Sequence, residues 1–371
     1  MTQLFECALK EKAKPSFASD ADLPAAGSKI MAALSGGVDS AVTALRLIQL
    51  GYAVEGVTMT LFNGSKALQE AQKTADFLKI RLHHLDLTQA FDAEVIQYFC
   101  RTYAAGLTPN PCVVCNPKIK FRHLLDFALR QGACKLATGH YARCLYNREI
   151  QQHVLLKGCD PKKDQSYFLY GLSQEILSKT LFPLGCSTKD EVRQEAAQAG
   201  IPPAEKKDSQ EVCFIPENNY QAFLKRYGCA KGFEAGYFVD RTGKILGRHQ
   251  GIACYTIGQR KGLGIALQKP AFVLKLDPLQ NQVVLGDDAD LFSDTLISSQ
   301  NHFISGEFPQ AAIPVAARIR SGASEASAML YPMGPDRIKL VFEKAQRAIT
   351  PGQSVVFYQG ERVLGGGMIL P

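Results

Sequence analysis

The 371-residue chain is long enough for two or three domains, because a single hydrophobic core rarely grows beyond about 250 residues. Hydrophobic residues make up 46% and charged residues 21%, which excludes a disordered or fibrous protein. The formal net charge of +7 favours a polyanionic partner without identifying one.

The eleven cysteines indicate a reducing compartment, because an odd number in a long chain differs from a secreted disulfide framework. No apolar run approaches the ~18 residues of a membrane span, and residues 1–28 contain acidic residues in place of an export signal. We therefore expect a cytoplasmic protein without membrane contact. Seven cysteines are interpreted as small core residues: Cys100, Cys134, Cys144, Cys159, Cys186, Cys229 and Cys254.

Between residues 29 and 215, short apolar runs alternate with helical periodicity, which predicts a parallel sheet covered by helices. A helix is predicted over 38–50 and ends at Gly51. Thr188 and Glu191 predict a capping box at the start of another helix. The predicted strands are residues 30–34, 53–60, 81–87 and 134–138.

After residue 216 the sequence becomes rich in glycine turns and β-branched residues, which predicts strands. The predicted strands lie at 236–247, 271–276, 282–285, 315–319, 337–342 and 354–358. The last of these suggest a small barrel. The predicted fold is α/β: an N-terminal extension (1–28), a nucleotide-binding domain (29–215), a central β-rich domain (216–282) and a C-terminal β-barrel (283–371).

The sequence SGGVDS at residues 35–40 lies between a predicted strand and a predicted helix. Glycines let the backbone approach phosphate closely, and N–H groups at a helix start favour negative charge. The pattern lacks the lysine of a Walker loop, so γ-phosphate transfer is not expected. The loop resembles the PP-loop of ATP pyrophosphatases, which form AMP-activated intermediates. An ordinary glycine turn is the structural alternative.

Two further segments combine cysteine with lysine. Cys112 and Cys115 are followed by Lys118, Lys120 and Arg122, and Cys213 follows a Lys206-Lys207 pair at a short distance. Nearby positive charge lowers the pKa of a cysteine, so these cysteines are predicted to be held as thiolates.

With these motifs in place, the chain resembles the bacterial tRNA-specific 2-thiouridylase family from residue 29 onward. The resemblance rests on the loop at 35–40, the asparagine and cysteine motif at 110–116, and four further motifs. These are ATGHYAR at 137–143, KDQSYFL at 163–169, DSQEVCF at 208–214 and YTIGQRKGLG at 255–264.

The resemblance implies that Cys115 is the nucleophile and that Cys213 forms the persulfide. It implies ATP contacts at Ala33, Leu34, Ser35, Gly36, Gly37, Val38, Asp39, Ser40, Met59 and Gly139. It implies tRNA contacts at Asn110, Pro111, Cys112, Lys163, Asp164, Gln165, Arg318 and Ile319. The chain departs from the family at Cys112, where Asp is common, and at Ile319, where an aromatic residue is usual.

The expected reaction adenylates the C2 oxygen of a uridine with ATP and Mg²⁺, and then replaces that oxygen with persulfide sulfur. The resemblance implies the wobble uridine of tRNAs for Lys, Glu and Gln, with a cysteine desulfurase or sulfur-relay protein as persulfide donor.

Three alternatives remain at the level of the sequence. Cys112, Cys115 and Cys213 could instead hold a [4Fe-4S] cluster, whereas a structural zinc site lacks a clear fourth ligand. A PP-loop ligase would use the same loop without paired cysteines. A nonenzymatic tRNA-binding protein would not need the loop.

Overall fold

The structure, a computed structural model, describes residues 23–62, 65–202, 212–215, 219–229, 232–267 and 269–371. Within these ranges no helix is both long enough and apolar enough to cross a membrane. The predicted N-terminal extension lies almost entirely outside the described residues.

A parallel sheet forms the first part of the chain, as predicted. Its strands are β1 (Lys29–Ala33), β2 (Ala53–Thr60), β3 (Leu82–Asp86), β4 (Lys135–Ala137) and β7 (Thr180–Leu181). They are arranged in the order β3-β2-β1-β4-β7, and each neighbouring pair is parallel. Because β1 is central, its carboxyl end opens at the middle of the sheet edge, where α/β proteins bind ligands.

Helices cover this sheet. Gly51 has a φ of +82° just after the first helix, and both hydrogen bonds of the Thr188–Glu191 capping box are present, so these two helix signals are confirmed. Two π-helical turns, Asp92–Ile96 and Asn116–Phe121, interrupt the helices around the cysteine motif. The helices are α1 (Val38–Gln49), α2 (Ser65–Leu78), α3 (Thr88–Phe91), α4 (Gln97–Ala104), α5 (Pro111–Cys115), α6 (Arg122–Arg130), α7 (Gln174–Ser178), α8 (Lys189–Gln198) and α9 (Tyr220–Arg226).

The C-terminal strands form a barrel, because β12 pairs with both β15 and β17 and thereby closes the sheet. The hairpin of β5 (Ala142–Asn147) and β6 (Gln152–Lys157) adds to β17 from outside the predicted barrel domain. The predicted boundaries therefore miss this hairpin. The barrel strands are β12 (Phe292–Phe303), β13 (Ile313–Arg318), β14 (Ala326–Met333), β15 (Arg337–Arg347), β16 (Ser354–Gln359) and β17 (Arg362–Ile369).

A smaller sheet lies between these two parts, which confirms the predicted β-rich central segment. Its strands are ordered β10-β11-β8-β9, with one parallel pair between β11 and β8. They pack on a separate apolar core that includes Phe238, Tyr255 and Leu263. The strands are β8 (Gly236–Val239), β9 (Ile245–His249), β10 (Phe272–Asp277) and β11 (Gln282–Gly286).

A disulfide joins Cys100 of α4 to Cys229, which follows α9, with 5.9 Å between their Cα atoms. Both residues pack in an apolar cluster, as expected. Their interpretation as free cysteines is wrong, because sequence spacing does not report spatial proximity across 129 residues. Cys159 is exposed, so its interpretation as a small core residue is also wrong, because the sequence does not report its exposure. The bond links the nucleotide-binding part to the start of the central part.

We expect reduction of Cys100–Cys229 to lower the free energy of unfolding by about 2–4 kcal/mol, because a cross-link over a long loop restricts the unfolded chain. Denaturant unfolding of the oxidised protein, the reduced protein and Cys100→Ser/Cys229→Ser would measure this difference. Cys134→Ser is the control for loss of an unlinked thiol. Equal stability of the oxidised protein and the double variant would contradict a structural role for the bond.

Candidate active site

The glycine-rich loop connects β1 to α1 at the carboxyl edge of the sheet. Gly36 has a φ of +77°, and a Cβ atom there would lie 2.4 Å from Glu70 Cβ, so only glycine fits. No side chain caps the N-terminus of α1 after Gly37. The peptide N–H groups at this helix end can therefore donate to phosphate oxygens.

Two serines with different exposure shape this loop. The buried Ser40 donates from Oγ to the Gly37 carbonyl at 2.8 Å and accepts from the Ser35 N–H at 3.2 Å. Ser35 is exposed, and its Oγ lies 3.2 Å from Ser40 Oγ. Ser40 therefore holds the loop in shape, while Ser35 is placed to contact a bound phosphate.

Asp39, in the first turn of α1, is held by two side chains that sequence analysis did not identify. Lys189 Nζ lies 2.8 Å from both carboxylate oxygens, and Tyr141 donates its hydroxyl to Oδ1 at 2.8 Å. Lys189 is the first residue of α8, directly after the capping residue Thr188. Tyr141 lies within the ATGHYAR motif, which was the available signal for it.

Most of the remaining predicted ATP residues pack into the apolar cores beside the loop. A Cβ atom at Gly139 would lie 3.1–3.2 Å from the Asp39 backbone, so β4 approaches the start of α1 closely. Leu34 is buried and donates its N–H to the Val57 carbonyl at 2.8 Å. Ala33 and Met59 pack against the apolar core of the sheet, and Val38 packs against a second core beside α1.

We expect Lys189→Ala to raise the KM for ATP and to lower kcat about 10- to 100-fold, because the Asp39 carboxylate loses its cationic partner beside the phosphate site. The free energy of unfolding should fall by about 1–2 kcal/mol, since the carboxylate is about one-third exposed and partly screened. Steady-state kinetics and denaturant unfolding measure the two effects.

Arg193→Ala is the matched control, because Arg193 is a cation of the same helix with a side chain 57% exposed. Lys189→Arg should recover part of the activity. Unchanged ATP kinetics in Lys189→Ala would remove this residue from the site.

The cysteine motif forms the short helix α5, which begins with Pro111 after Asn110. Proline suits the first turn of a helix because its missing N–H is not needed there. Cys115 is 5% exposed and lies in an apolar cluster, whereas Cys112 is partly exposed. The two thiols therefore have different access to solvent.

The prediction that nearby cations hold these thiols as thiolates is wrong for this conformation. Burial raises the pKa of Cys115 to about 12, with Lys120 opposing the effect and Cys213 and Cys112 adding to it. Burial also raises the pKa of Cys112. Lys118, the other lysine of the motif, pairs with Glu94 at 2.8 Å.

Cys213 is exposed and is followed by the buried Phe214, which anchors it beside Cys115. The Phe214 ring contacts the rings of Phe91, Phe99 and Phe223 at centroid distances of 5.3–5.5 Å. Cys115 belongs to the same cluster, and Cys213 interacts electrostatically with it. The structure thus brings together two cysteines that are about a hundred residues apart; residues 208–211 of that motif lie outside the described ranges.

The same geometry does not provide a metal-ligand set. In the described ranges, no group of three or more His, Cys, Asp or Glu side chains is close enough to hold a metal ion. Cys112, Cys115 and Cys213 therefore do not fit an iron–sulfur cluster as they are placed, and that hypothesis gains no support.

We expect alkylation of the unliganded enzyme at pH 7.5 to label the exposed Cys213 well before the buried Cys115. Thiolate is the reactive species, so the rate at Cys115 should rise about tenfold per pH unit below its raised pKa. Mass mapping of iodoacetamide adducts at several pH values measures both sites. Labelling in denaturant is the control, and equally fast labelling of both residues at pH 7.5 would contradict the burial argument.

Two of the residues predicted to contact tRNA, Asp164 and Arg318, pair with each other. The Asp164 carboxylate pairs with Arg318 of β13 at 3.1 Å, and its side chain is 2% exposed. Ile319 is 4% exposed within the barrel core. Direct contact of these two side chains with tRNA is therefore not supported. Asp164 forms an ion pair with a residue of the barrel, and Ile319 packs inside the barrel.

The other predicted contacts are differently placed. Gln165 accepts from the Tyr141 N–H at 2.9 Å, which ties this loop to the ATP site. Asn110 and Pro111 are buried at the start of the cysteine helix, next to the partly exposed Cys112. Lys163 is partly exposed in the same connecting loop. These remain predictions as tRNA contacts.

The parallel sheet, the glycine-rich loop and the adjacent thiols define a nucleotide-binding domain of the HUP class with two appended β domains. The chain matches the family descriptions "tRNA methyl transferase HUP domain" over residues 28–217, "tRNA methyl transferase PRC-barrel domain" over 221–287 and "Aminomethyltransferase beta-barrel domain" over 293–369. Because its curated relatives are up to 50% identical over 92% of its length, the chain belongs to the tRNA-specific 2-thiouridylase family.

The chain is 50% identical over 341 residues to the tRNA-specific 2-thiouridylase MnmA of Syntrophomonas wolfei, covering 92% of this chain and 99% of the relative. It is 46% identical over 355 residues to MnmA 1 of Caldanaerobacter subterraneus, covering 92% and 97%. It is 44% identical over 353 residues to MnmA of Clostridioides difficile, covering 92% and 98%. The family expected from the motifs is confirmed.

Proposed function

We propose that this protein makes 2-thiouridine in tRNA from ATP and a persulfide sulfur. The observation that supports this most directly is that Cys213 lies beside the buried Cys115 in one aromatic cluster, in a chain that also carries a loop shaped for phosphate. A PP-loop ligase would have no use for this pair of thiols. A nonenzymatic tRNA-binding protein would have no use for the loop.

The first step is adenylation of the base. The uridine O2 attacks the α-phosphorus of ATP, the bond to the β-phosphate oxygen breaks, and pyrophosphate leaves. The loop N–H groups and Ser35 hold phosphate oxygens, and ATP arrives as its Mg²⁺ complex, in which the metal screens phosphate charge. Adenylation converts a poor oxide leaving group into AMP.

The second step transfers sulfur. The terminal sulfur of a Cys213 persulfide attacks C2, and AMP leaves with the original oxygen. Cys115 thiolate then attacks the Cys213 sulfur, so that a Cys115–Cys213 disulfide forms and the C2 thiocarbonyl is released. An external dithiol reduces this disulfide and is itself oxidised. Cys115 must lose a proton for this attack, and Lys120 is the cation that favours its thiolate.

The target is a loop base, because unstacking a single-stranded base costs less than opening a pair. The family suggests the wobble uridine of tRNAs for Lys, Glu and Gln. The sulfur donor is proposed to be a cysteine desulfurase or a sulfur-relay protein that forms a persulfide on the exposed Cys213. The cytoplasmic location stays a prediction.

The iron–sulfur alternative is set aside in this mechanism, because the three cysteines do not form a ligand set within the described ranges. Cys112 is then a thiol in the position where the family commonly has Asp, partly exposed beside the nucleophile. Iron analysis of anaerobically purified enzyme tests this choice: iron in proportion to activity, lost in Cys112→Ser, would reverse it.

We expect Cys115→Ser and Cys213→Ser to abolish 2-thiouridine formation, by at least about 100-fold, while tRNA-dependent pyrophosphate release continues. Asp39→Ala should lose both signals, because Asp39 belongs to the ATP loop. Nucleoside mass analysis of tRNA incubated with ATP and a persulfide donor measures the product, and a phosphate-coupled assay measures pyrophosphate.

Cys254→Ser is the buried control for Cys115, and Cys159→Ser is the exposed control for Cys213. Both should keep wild-type thiolation. Normal 2-thiouridine yield in Cys115→Ser or Cys213→Ser would remove that thiol from the mechanism.

A further inference from the structure

The central domain presents a loop, residues 255–264, that the thiolation mechanism does not use. This segment has the sequence YTIGQRKGLG and connects the central core to the approach to β10. Its two ends are anchored, because Tyr255 and Leu263 are 5% and 7% exposed in the central core. The residues between them lie at the surface.

Gln259 fixes the backbone of this loop from within. Its side chain accepts from the Thr256 N–H at 3.1 Å and donates to the Lys261 carbonyl at 3.0 Å. Gly258 donates to the Val273 carbonyl at 2.8 Å, and Val273 donates back to the Gln259 carbonyl at 3.0 Å. The loop is therefore held on the edge of β10, so little conformational entropy remains to be lost on binding.

Arg260 and Lys261 are exposed at the tip of this loop, and neither forms an ion pair with an acidic residue of the described ranges. Several neighbouring cations differ in this respect. Each of four others in and around the central domain has an aspartate partner: Arg241 with Asp290, Lys269 with Asp287, Lys275 with Asp277 and Arg347 with Asp288. The positive charge is left uncompensated at the loop.

A pocket of about 420 Å³ lies against the loop, lined by Arg260, Gly262, Leu263, Gly264 and Lys269 among others. Gly262 and Gly264 have φ values of +73° and +75°, so their turns favour glycine and leave the backbone open. Cations combined with accessible glycine backbone form a site for phosphate oxygens. None of the described residues that line the pocket is aromatic, so these residues offer no platform for a stacked base.

The loop also has a fixed position relative to the barrel. A Cβ atom at Gly258 would lie 2.9 Å from Ala348 Cβ, and the Arg347 guanidinium lies 5.3 Å from the centre of the Phe272 ring. The loop thus sits at the junction of the central domain and the barrel. A long polyanion that spans both domains would pass this junction.

We propose that Arg260 and Lys261 bind phosphodiester groups of the tRNA backbone, as a second contact distinct from the ATP loop and the two thiols. The inference rests on the proposed function, because it assigns a further contact to the same substrate. Phosphate contacts set the position of a nucleic acid and carry no base specificity. The loop therefore positions tRNA and does not select the uridine.

The test compares Arg260→Ala/Lys261→Ala with Arg241→Ala/Lys275→Ala, a control pair of exposed cations that already have aspartate partners. Binding of full-length tRNA is measured between about 50 and about 300 mM salt, a range over which the Debye length falls from roughly 14 Å to roughly 6 Å. We expect the loop variant to bind about 10- to 50-fold more weakly, with the salt slope reduced by about 1.4–1.8 for two lost phosphates. The control pair should change Kd by less than about threefold.

The outcomes separate this inference from the proposed function. Wild-type enzyme that forms 2-thiouridine, together with a loop variant that binds tRNA normally, would overturn the inference alone. Wild-type enzyme that forms no 2-thiouridine would overturn the proposed function. An increased KM for ATP in the loop variant would identify a free-nucleotide site and would also overturn the inference. Arg260→Lys/Lys261→Arg should retain affinity, because the charge is conserved.

Discussion

Burial of the Cys115 thiol is the constraint on which the rest of the site depends. A buried thiol of raised pKa is protected from unproductive oxidation, but it reacts only with a partner brought directly to it. The aromatic cluster supplies both conditions. Phe214 fills the cluster and excludes water. Because Phe214 is inserted there, the preceding residue, Cys213, lies at the surface next to the buried Cys115. Protection and delivery therefore come from one packing interaction.

All three parts of the molecule contact the segment that leads into the cysteine helix. From the barrel, the Pro351 carbonyl accepts a hydrogen bond from the Thr108 N–H at 2.9 Å. The Gln353 side chain donates to the Thr108 and Pro109 carbonyls at 3.1–3.2 Å. In the central part, Ile252 and Leu276 lie 3.4–3.5 Å from where a Cβ atom would stand at Gly106. The position of Cys115 is thus set by contacts that are distant in sequence.

The sequence predicted the elements whose signals are local. The parallel strands, the helix that ends before Gly51 and the Thr188 capping box all depend on neighbouring residues, and they are present. The thiolate prediction failed for Cys115 because burial, which is a tertiary property, outweighs the charge of Lys120. Lys189 was missed because its partner Asp39 is 150 residues away in the chain. The disulfide was missed for the same reason.

Tyr141, Asp164 and Gln165 belong to sequence motifs, and their side chains contact other parts of the protein. Tyr141 joins Asp39 to Gln165, and the adjacent Asp164 pairs with Arg318, so a line of polar contacts runs from the ATP loop to the barrel. A buried ion pair contributes little net stability, because desolvation offsets the attraction, but breaking it is costly. Such a pair fixes geometry more than it adds stability. Asp164 and Gln165 therefore connect the barrel to the segment that holds Asp39, and this connection fixes the orientation of the barrel relative to the glycine-rich loop.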